Sequence, residues 1–447
     1  MDVAHHRLTQ ARQLRGWSQK DLAEQVLDAG GREHVNVATS KKTVSRWEHG
    51  QVPDVVTQEL LVKVFNLPEG EHLLAPWPLW LPAPDIPELY YPWTPRGTVE
   101  VLADSLRSGR MDRRGFVILS GVTLTTLLHD WLITEPEIVH AVTGSGRRVS
   151  TAMIGRIDER IADLQRADDT LGGGDLIGEA EAHLSLVTRL LSESSYTEAQ
   201  GIRLNTQAAD LARMAGWMRF DAGQHAAAQR YFHAALRSAH TSGDRLLGAN
   251  ILAFAAIQQY SVGNPHEADS MVRTAQAAVR GRSTPTVDAM LHARQARALA
   301  KTGDARRCYH ALNQAADCLN EGTSDDDPPW AYWVDRAEVD MLTGSCMLDL
   351  GDPVRAQQKF TEAAAGYGPG YVRDHSLYLT RMATAQLQQK DLDRACDSAG
   401  QALSLTEHIS STRSTDHIRG FVELLAPYRT EPAARSFLDR ARTLLSI

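Results

Sequence analysis

Small residues recur at fixed distances from a series of turn residues in the second half of this 447-residue chain, and this repeat limits the fold more than any other feature. The turn residues are spaced 40, 40, 48 and 39 apart: Gly223, Gly263, Gly303, Gly351 and Lys390. Seven residues before them lie Gly216, Ala256, Ala296, Gly344 and Ala383; five after them lie Ala228, Ala268, Cys308, Ala356 and Ala395; twelve after them lie Ala235, Ala275, Ala315, Ala363 and Ala402. Small side chains let antiparallel helices approach closely, so the repeat predicts stacked helix pairs.

The repeat extends beyond these five units in both directions. A weaker sixth unit starts at Arg429 and has Ala434 and Ala441 at two of the offsets, and a degenerate pair precedes the first unit. The long spacing before the fourth unit marks an insertion, NEGTSDDDPPWAYW. Ala, Leu and Arg are the most frequent residues of the chain, and they favour helices. The predicted fold class is therefore all-α.

The offsets of the small residues resemble those of the tetratricopeptide (TPR) repeat over roughly residues 177–447, with a period longer than that family's 34 residues. The resemblance implies a right-handed superhelix whose concave face is lined by the first helix of each pair. The family's concave positions carried onto this chain are Asp210, Arg213, Trp217, Phe220, Asn250, Tyr260, Arg297 and Glu338. Such a face would hold an extended peptide, with Asn pairing with its backbone and Arg with a carboxylate. Taken singly, each polar residue is equally explained as part of a solvated helix.

The N-terminal part of the chain shows three short helical patterns. The first runs from about His5 to Arg15. Ser18 is a natural N-cap for the second helix, with Asp21 at the position of a capping box. Ser40 caps a third helix, Lys41-Lys42-Thr43-Val44-Ser45-Arg46-Trp47-Glu48, which Gly50 and Pro53 end. This order predicts helix, turn, recognition helix.

The segments GWSQKDLAEQV and SKKTVSRWEHGQVPD, followed by LLVKVFNL, resemble the phage-repressor (Cro/C1, XRE) helix-turn-helix. In that family the start of the recognition helix faces base edges in the major groove. The resemblance makes Lys41, Lys42 and Arg46 the base-edge candidates, because Lys and Arg suit the guanine acceptors. It assigns phosphate contacts to Gln19 and Thr43, adds Ser45 to the DNA-binding residues, and puts Val44 and Trp47 in the core. The alternative is that the three cations form only a solvated face.

One stretch departs from the helix-turn-helix pattern. Ser40 follows Ala23 by 17 positions where the family has fewer, so LDAGGREHVNV is interpreted as an insertion between the second and third helices. We expect it to be a surface loop; the alternative is a wing that touches the DNA backbone through Arg32 and His34.

The composition divides the chain into four segments. They are a helix-turn-helix domain over 1–75, a Pro/Trp-rich linker over 76–97 that should run extended, a helical connecting segment over 98–176, and the TPR-like domain over 177–447. The apolar run from Met111 to Ile133 follows paired arginines but is broken by polar residues. It falls short of a membrane span and is predicted to be a buried interdomain helix.

Charge and motifs narrow the function. The net charge of −8 excludes a polyanion-binding surface over the whole protein, and residues 1–50 carry only eight Lys/Arg against six Asp/Glu. Four cysteines without CxxC spacing and the lack of a secretory signal predict a cytoplasmic protein. The sequence contains no GxxxxGK[ST], HExxH or GxSxG motif. It therefore predicts no enzyme, no cofactor and no metal site.

Two functions fit these features. The first is a sequence-specific DNA-binding transcriptional regulator, of the repressor type, that binds a double-stranded operator as a homodimer. Its TPR-like domain would mediate dimerisation and bind a peptide, a small ligand or a protein partner. No membrane is expected among the partners. The second is a TPR scaffold that recruits a protein partner without specific DNA binding.

Overall fold

The computed structural model describes residues 7–13, 17–65, 70–73, 76–78, 80–81, 91–108, 121–137, 139–142, 148–364, 366, 371–407 and 409–445. Most of the described residues are helical, and two isolated β-bridges are the only β pairing among them. They fall into two compact units: one drawn from Met1–Tyr91 and Gly115–Asp130, the other from Pro92–Arg114 and Trp131–Ile447. The all-α prediction is confirmed at this level.

The helices in the described part of the chain are, in order, α1 Arg7–Gln13, α2 Gln19–Arg32, α3 Lys41–Glu48, α4 Val55–Val64, α5 Pro95–Ser108, α6 Gly121–Ile133, α7 Thr151–Leu171, α8 Ile177–Glu193, α9 Glu198–Asp221, α10 His225–Ser242, α11 Arg245–Val262, α12 Pro265–Val279, α13 Pro285–Thr302, α14 Ala305–Asn320, α15 Arg336–Asp349, α16 Pro353–Ala364, α17 Val372–Gln388, α18 Leu392–Thr406, α19 Thr412–Leu424 and α20 Pro432–Leu445.

The core of the first unit is formed by one apolar side of each of its helices. Leu8 of α1, Leu22 of α2, Val44 of α3 and Leu61 of α4 are inaccessible to solvent and pack in one cluster. Burial of large aliphatic side chains is the dominant favourable contribution to folding. The apolar side of each helix thus decides which polar residues remain outside.

The extra residues between the second and third helical patterns do not all form a loop, and here the expectation of a surface loop was wrong in part. Helix α2 continues through Arg32, so that half of the insertion is helical. The chain then turns at His34, which has a φ of 56°, and the Val35 amide donates to the Gly30 carbonyl at 2.9 Å. Glycine is needed at position 30 because a Cβ there would lie 2.8 Å from Val37.

The second unit is an array of helix pairs. Helices α9 and α10, α11 and α12, α13 and α14, α15 and α16, and α17 and α18 pack along their lengths and are joined by connections of two or three residues, so each pair is antiparallel. The first helix of each pair also packs on the first helix of the next pair. The five turn residues of the sequence repeat lie in these connections.

The small residues of the repeat are buried where the helices of a pair meet. The alanines and the cysteine at the three offsets are all at most 2% exposed. Two positions of the offset seven residues before the turn hold glycine: a Cβ at Gly216 would lie 2.9 Å from Phe232, and one at Gly344 would lie 2.8 Å from Phe360. The predicted reason for small residues, close approach of paired helices, is therefore confirmed.

The array does not remain an open superhelix, because helices outside the five pairs join its two ends. Helix α7, which precedes the repeats, packs against both α9 and α17, and α19 packs against α9 and α17. The backbone closes the same junction: the Gly174 amide donates to the Ser410 carbonyl at 3.0 Å, and the Ser410 amide donates to the Leu171 carbonyl at 3.1 Å. The expected concave groove is thus bounded at both ends.

The described residues of the Pro/Trp-rich segment form turns and the start of a helix rather than the predicted extended run, and residues 79 and 82–90 lie outside the described residues. Trp77 and Trp80 pack with the core of the first unit. Trp93 lies against the second unit's Arg237, whose guanidinium carbon is 4.5 Å from the ring centroid. Helix α5 begins at Pro95, earlier than the predicted start at residue 98, because proline suits the first turn and the Thr94 hydroxyl accepts from the Gly97 amide at 3.1 Å.

The apolar run that ends at Ile133 forms the 13-residue α6 over its second half, and residues 111–120 lie outside the described residues. A helix needs about 20 apolar residues to cross a bilayer. Within the described ranges, no helix is both long and apolar enough to do so.

Replacement of Lys390 by glycine should stabilise the protein. Gly223, Gly303 and Gly351 adopt φ between 76° and 83° in their turns, and Lys390 adopts the same left-handed conformation with a φ of 65°. A Cβ is disfavoured there, so Lys390→Gly should raise the free energy of unfolding by about 0.5 to 1 kcal/mol. Chemical denaturation measures the free energy of unfolding. Gly303→Ala is the matched control, which adds a Cβ in the same conformation and should lower that free energy. A loss of stability in Lys390→Gly would contradict the left-handed conformation assigned to Lys390.

Candidate functional site

Helix α3 is fixed in the first unit by its cap and by its apolar side. The Ser40 hydroxyl accepts from the Thr43 amide at 3.3 Å, as the sequence predicted. Val44 and Trp47 are buried in the core. Because these two side chains point inward, the residues at the start of the helix face outward.

The three predicted base-edge residues share the exposed side of α3. Lys41, Lys42 and Arg46 are exposed, and none of their side chains forms an ion pair or hydrogen bond with another described residue. Thr43 and Ser45 are partly exposed, and the Thr43 hydroxyl lies 3.0 Å from that of Ser40. The helix therefore presents three uncompensated positive charges to solvent.

Behind α3 lies a buried polar network that the sequence reasoning did not predict. Glu48 is 2% exposed, and its carboxylate accepts from Arg12 Nε at 2.6 Å and from Gln19 Nε2 at 2.5 Å. A buried carboxylate needs such partners to offset its desolvation. The Gln19 amide nitrogen, predicted to contact phosphate, is therefore engaged by Glu48 and ties α2 to α3.

The second candidate site is a cavity of about 590 Å³ in the second unit, within the size range of small-molecule sites. It lies between the first helices of the pairs and is bounded by α7, α19 and the insertion before α15. Its lining is rich in arginine and aromatic side chains. The arginines are Arg213, Arg294, Arg297, Arg373, Arg381 and Arg413; the aromatic residues are Trp217, Phe220, Phe254, Tyr260, Trp330, Tyr332, Trp333, Tyr371, Tyr378 and Phe421.

Trp217 is the residue on which the ends of the array converge. Its indole nitrogen donates to Asp168 at 3.1 Å, and the guanidinium carbons of Arg373 and Arg413 lie 5.2 Å and 4.6 Å from its ring centroid. Cation–π contacts of this kind strengthen when they are desolvated. A single side chain of α9 thus contacts groups from α7, α17 and α19.

Two ion pairs bridge the same junction. Arg373 Nη1 lies 2.9 Å from Asp168 Oδ2, and Arg413 Nε lies 3.1 Å from Asp221 Oδ1. Asp168, Asp221 and Arg373 are all buried. Burial raises the pKa of Asp168, and the Arg373 charge opposes that rise. Each buried charge at the junction therefore needs its partner to offset its desolvation.

Asp169 is the other carboxylate of α7 in the cavity lining. Tyr332 of the insertion donates its hydroxyl proton to Asp169 Oδ2 at 2.6 Å. Burial raises the pKa of Asp169 to about 6, although the Tyr332 hydrogen bond acts in the opposite direction. The insertion is thereby attached to the wall of the cavity.

Six of the eight residues predicted for the concave face do line the cavity: Arg213, Trp217, Phe220, Tyr260, Arg297 and Glu338. Asp210 lies beside it and pairs with Arg213 at 2.7 Å. Asn250 is 1% exposed, does not line the cavity, and has no hydrogen-bond partner for its side-chain amide among the described residues.

Sequence reasoning missed the residues that come from outside the repeat register. Asp168 and Asp169 belong to α7, which precedes the repeats, and Arg413 belongs to α19. Trp333 lies in the insertion that the sequence marked only as an irregular spacing. The aromatic residues in that insertion were the one signal that it packs against something, because a solvated loop has no need of them.

The comparisons with known proteins concern the first unit. The family model of the SP15 N-terminal domain matches residues 8–72 of this chain. No curated protein matches the chain. The matched range contains α2, α3 and α4 and all three exposed cations of α3.

Breaking the ion pair between α7 and α17 should destabilise the second unit strongly. Arg373→Met leaves the buried Asp168 carboxylate without its guanidinium, so we expect a loss of about 3 to 5 kcal/mol in the free energy of unfolding. The double variant Asp168→Leu with Arg373→Met removes both charges and should recover part of that loss.

The matched control is Arg394→Met, which removes an exposed arginine 3.7 Å from Asp391. Exposed pairs contribute little, so this variant should unfold almost as the parent does. Equal denaturation midpoints for Arg373→Met and Arg394→Met would contradict a stabilising role for the junction.

Proposed function

We propose that this protein is a sequence-specific DNA-binding transcriptional regulator, with a helix-turn-helix of the phage-repressor type in its first unit and a TPR-like array in its second. The array binds a ligand or partner in its cavity and mediates dimerisation. The observation that carries the proposal is α3, an eight-residue helix that exposes Lys41, Lys42 and Arg46 while its other side is buried.

Several features of α3 support DNA binding. Its three cations have no carboxylate partner among the described residues, so they are available for acceptors on a base edge or a phosphate. The Glu48 network with Arg12 and Gln19 fixes α3 against α2, which gives the helix the rigidity that base readout requires.

A homodimer is part of the proposal. Eight Lys/Arg against six Asp/Glu give residues 1–50 a net charge of only +2, which provides little electrostatic attraction to a phosphate backbone. Two copies that read half-sites one helical turn apart would add their contacts.

Removal of any one of the α3 cations should weaken selective DNA binding. Lys41→Ala, Lys42→Ala and Arg46→Ala are each expected to weaken retardation of the protein's own upstream region by roughly fivefold to a hundredfold, as lost base contacts do. Gel shifts measure this over a salt series, because phosphate contacts make affinity salt-dependent.

Lys20→Ala is the matched control, since Lys20 is an exposed lysine of α2 that lies 3.5 Å from Glu24. It removes the same charge from the same unit and should leave selectivity unchanged. If the wild-type protein retards no promoter fragment even at low salt, DNA binding is excluded. The array would then stand alone as a scaffold for a protein partner.

A further inference from the structure

Five of the six arginines that line the cavity have a carboxylate partner. Arg213 pairs with Asp210, Arg294 with Glu338, Arg297 with Asp349, Arg373 with Asp168, and Arg413 with Asp221. The sixth, Arg381 of α17, forms no ion pair or hydrogen bond with any described residue. The cavity therefore contains one guanidinium that has no ion-pair partner of its own among the described residues.

The surroundings of Arg381 contain more positive than negative charge. Asp349 already accepts from both Arg297 Nη1, at 2.7 Å, and Lys301 Nζ, at 2.9 Å. Burial, and next the Arg297 charge, lower the pKa of Arg381. Three cations thus share one carboxylate, and a further anion at this place would be stabilised by all three.

Two further groups add to the basic character of this part of the lining. Arg297 is 1% exposed, and its Nη2 has no hydrogen-bond partner within the described residues but also almost no accessible surface, so it contributes positive charge rather than a ligand contact. His417 of α19 also lines the cavity, and burial, followed by the Arg381 charge, holds its pKa well below the usual range, so the ring is neutral and carries one N–H donor.

The acidic residues of the described lining contact other groups, and none of them forms an ion pair or a hydrogen bond with Arg381. Asp374 lies 3.7 Å from both Arg373 and Arg413, and Asp416 lies 2.8 Å from Arg419. Asp335 accepts from the Glu338 amide at 2.8 Å, and Asp169 accepts from Tyr332. Among the arginines of the described lining, Arg381 is the one without an ion-pair partner.

Aromatic side chains line the same cavity. The guanidinium carbon of Arg297 lies 5.6 Å from the ring centroid of Tyr260. Phe254 packs edge-on against Trp217 at 5.0 Å and against Trp333 at 6.0 Å. Flat apolar groups bind well against such rings.

We propose that the cavity binds a small organic anion with an aromatic body. Its acidic group pairs with Arg381, and its rings lie against Phe254 and Trp333. The inference rests on the ligand-binding half of the proposed function and narrows it. An extended peptide is disfavoured because α7 and α19 bound the groove at both ends.

Two fluorescent probes that differ by one acidic group test this assignment. Anilinonaphthalene sulfonate carries the sulfonate, and phenylnaphthylamine has the same rings without it. The full-length protein should bind the sulfonate probe more tightly than the neutral one. Arg381→Gln should weaken the sulfonate probe by roughly tenfold to a hundredfold, the effect of losing a charged hydrogen bond, and leave the neutral probe unchanged.

Three further variants separate charge from shape. Arg381→Lys keeps the charge and should retain most of the sulfonate affinity, and Arg394→Gln removes an exposed arginine outside the cavity and should change neither probe. Trp333→Ala removes part of the wall and should weaken both probes. Equal thermal unfolding of all variants shows that they are folded.

The proposal is overturned if the protein binds neither probe, if it binds both equally, or if sulfonate binding is insensitive to Arg381→Gln or to Trp333→Ala. It is also overturned if an extended peptide displaces the sulfonate probe from the wild-type protein but not from Arg381→Gln, because the group that Arg381 binds would then belong to a peptide. The probes test the cavity and the gel shifts test α3. Failure of the ligand assignment can therefore be distinguished from failure of DNA binding.

Discussion

The ion pair of Arg373 with Asp168 joins residues 205 positions apart in the chain and brings α7 against α17. Together with Trp217 and the pair of Arg413 with Asp221, it closes an array of helix pairs that would otherwise end in open surfaces. Both carboxylates are buried, so their desolvation is offset only while the junction holds. The cavity exists because of this closure.

The closure also explains the composition of the cavity. When the ends of the array meet, the first helices of several pairs surround its concave side. Polar groups on that side are shielded from bulk solvent and need partners within the protein. Most arginines of the lining are neutralised by acids in neighbouring helices. Arg381 is the exception, so the cavity combines an aromatic lining with one guanidinium that has no ion-pair partner among the described residues. Such a combination favours anionic ligands over neutral ones.

The local features of this chain could be predicted from sequence, and the non-local ones could not. Buried alanines at fixed offsets gave the helix pairs, because close packing selects small residues. Ser40 gave the start of α3, because capping is a local interaction. The approach of α7 to α17 left no periodic signal, since Asp168 and Arg373 are ordinary polar residues until the array brings them together. The helical continuation of α2 was missed because Gly30 and Gly31 are typical of turns.

Hydrogen exchange at the junction tests the closure of the array most directly. The amides of Gly174 and Ser410 donate to backbone carbonyls across it. In mass-spectrometric exchange on the full-length protein, peptides that contain these two amides should exchange as slowly as those of α9 and α17, although neither amide lies within an α-helix. Exchange at the rate of solvated loops in both peptides would show that the ends of the array do not meet in solution, and it would contradict the cavity on which the ligand assignment depends.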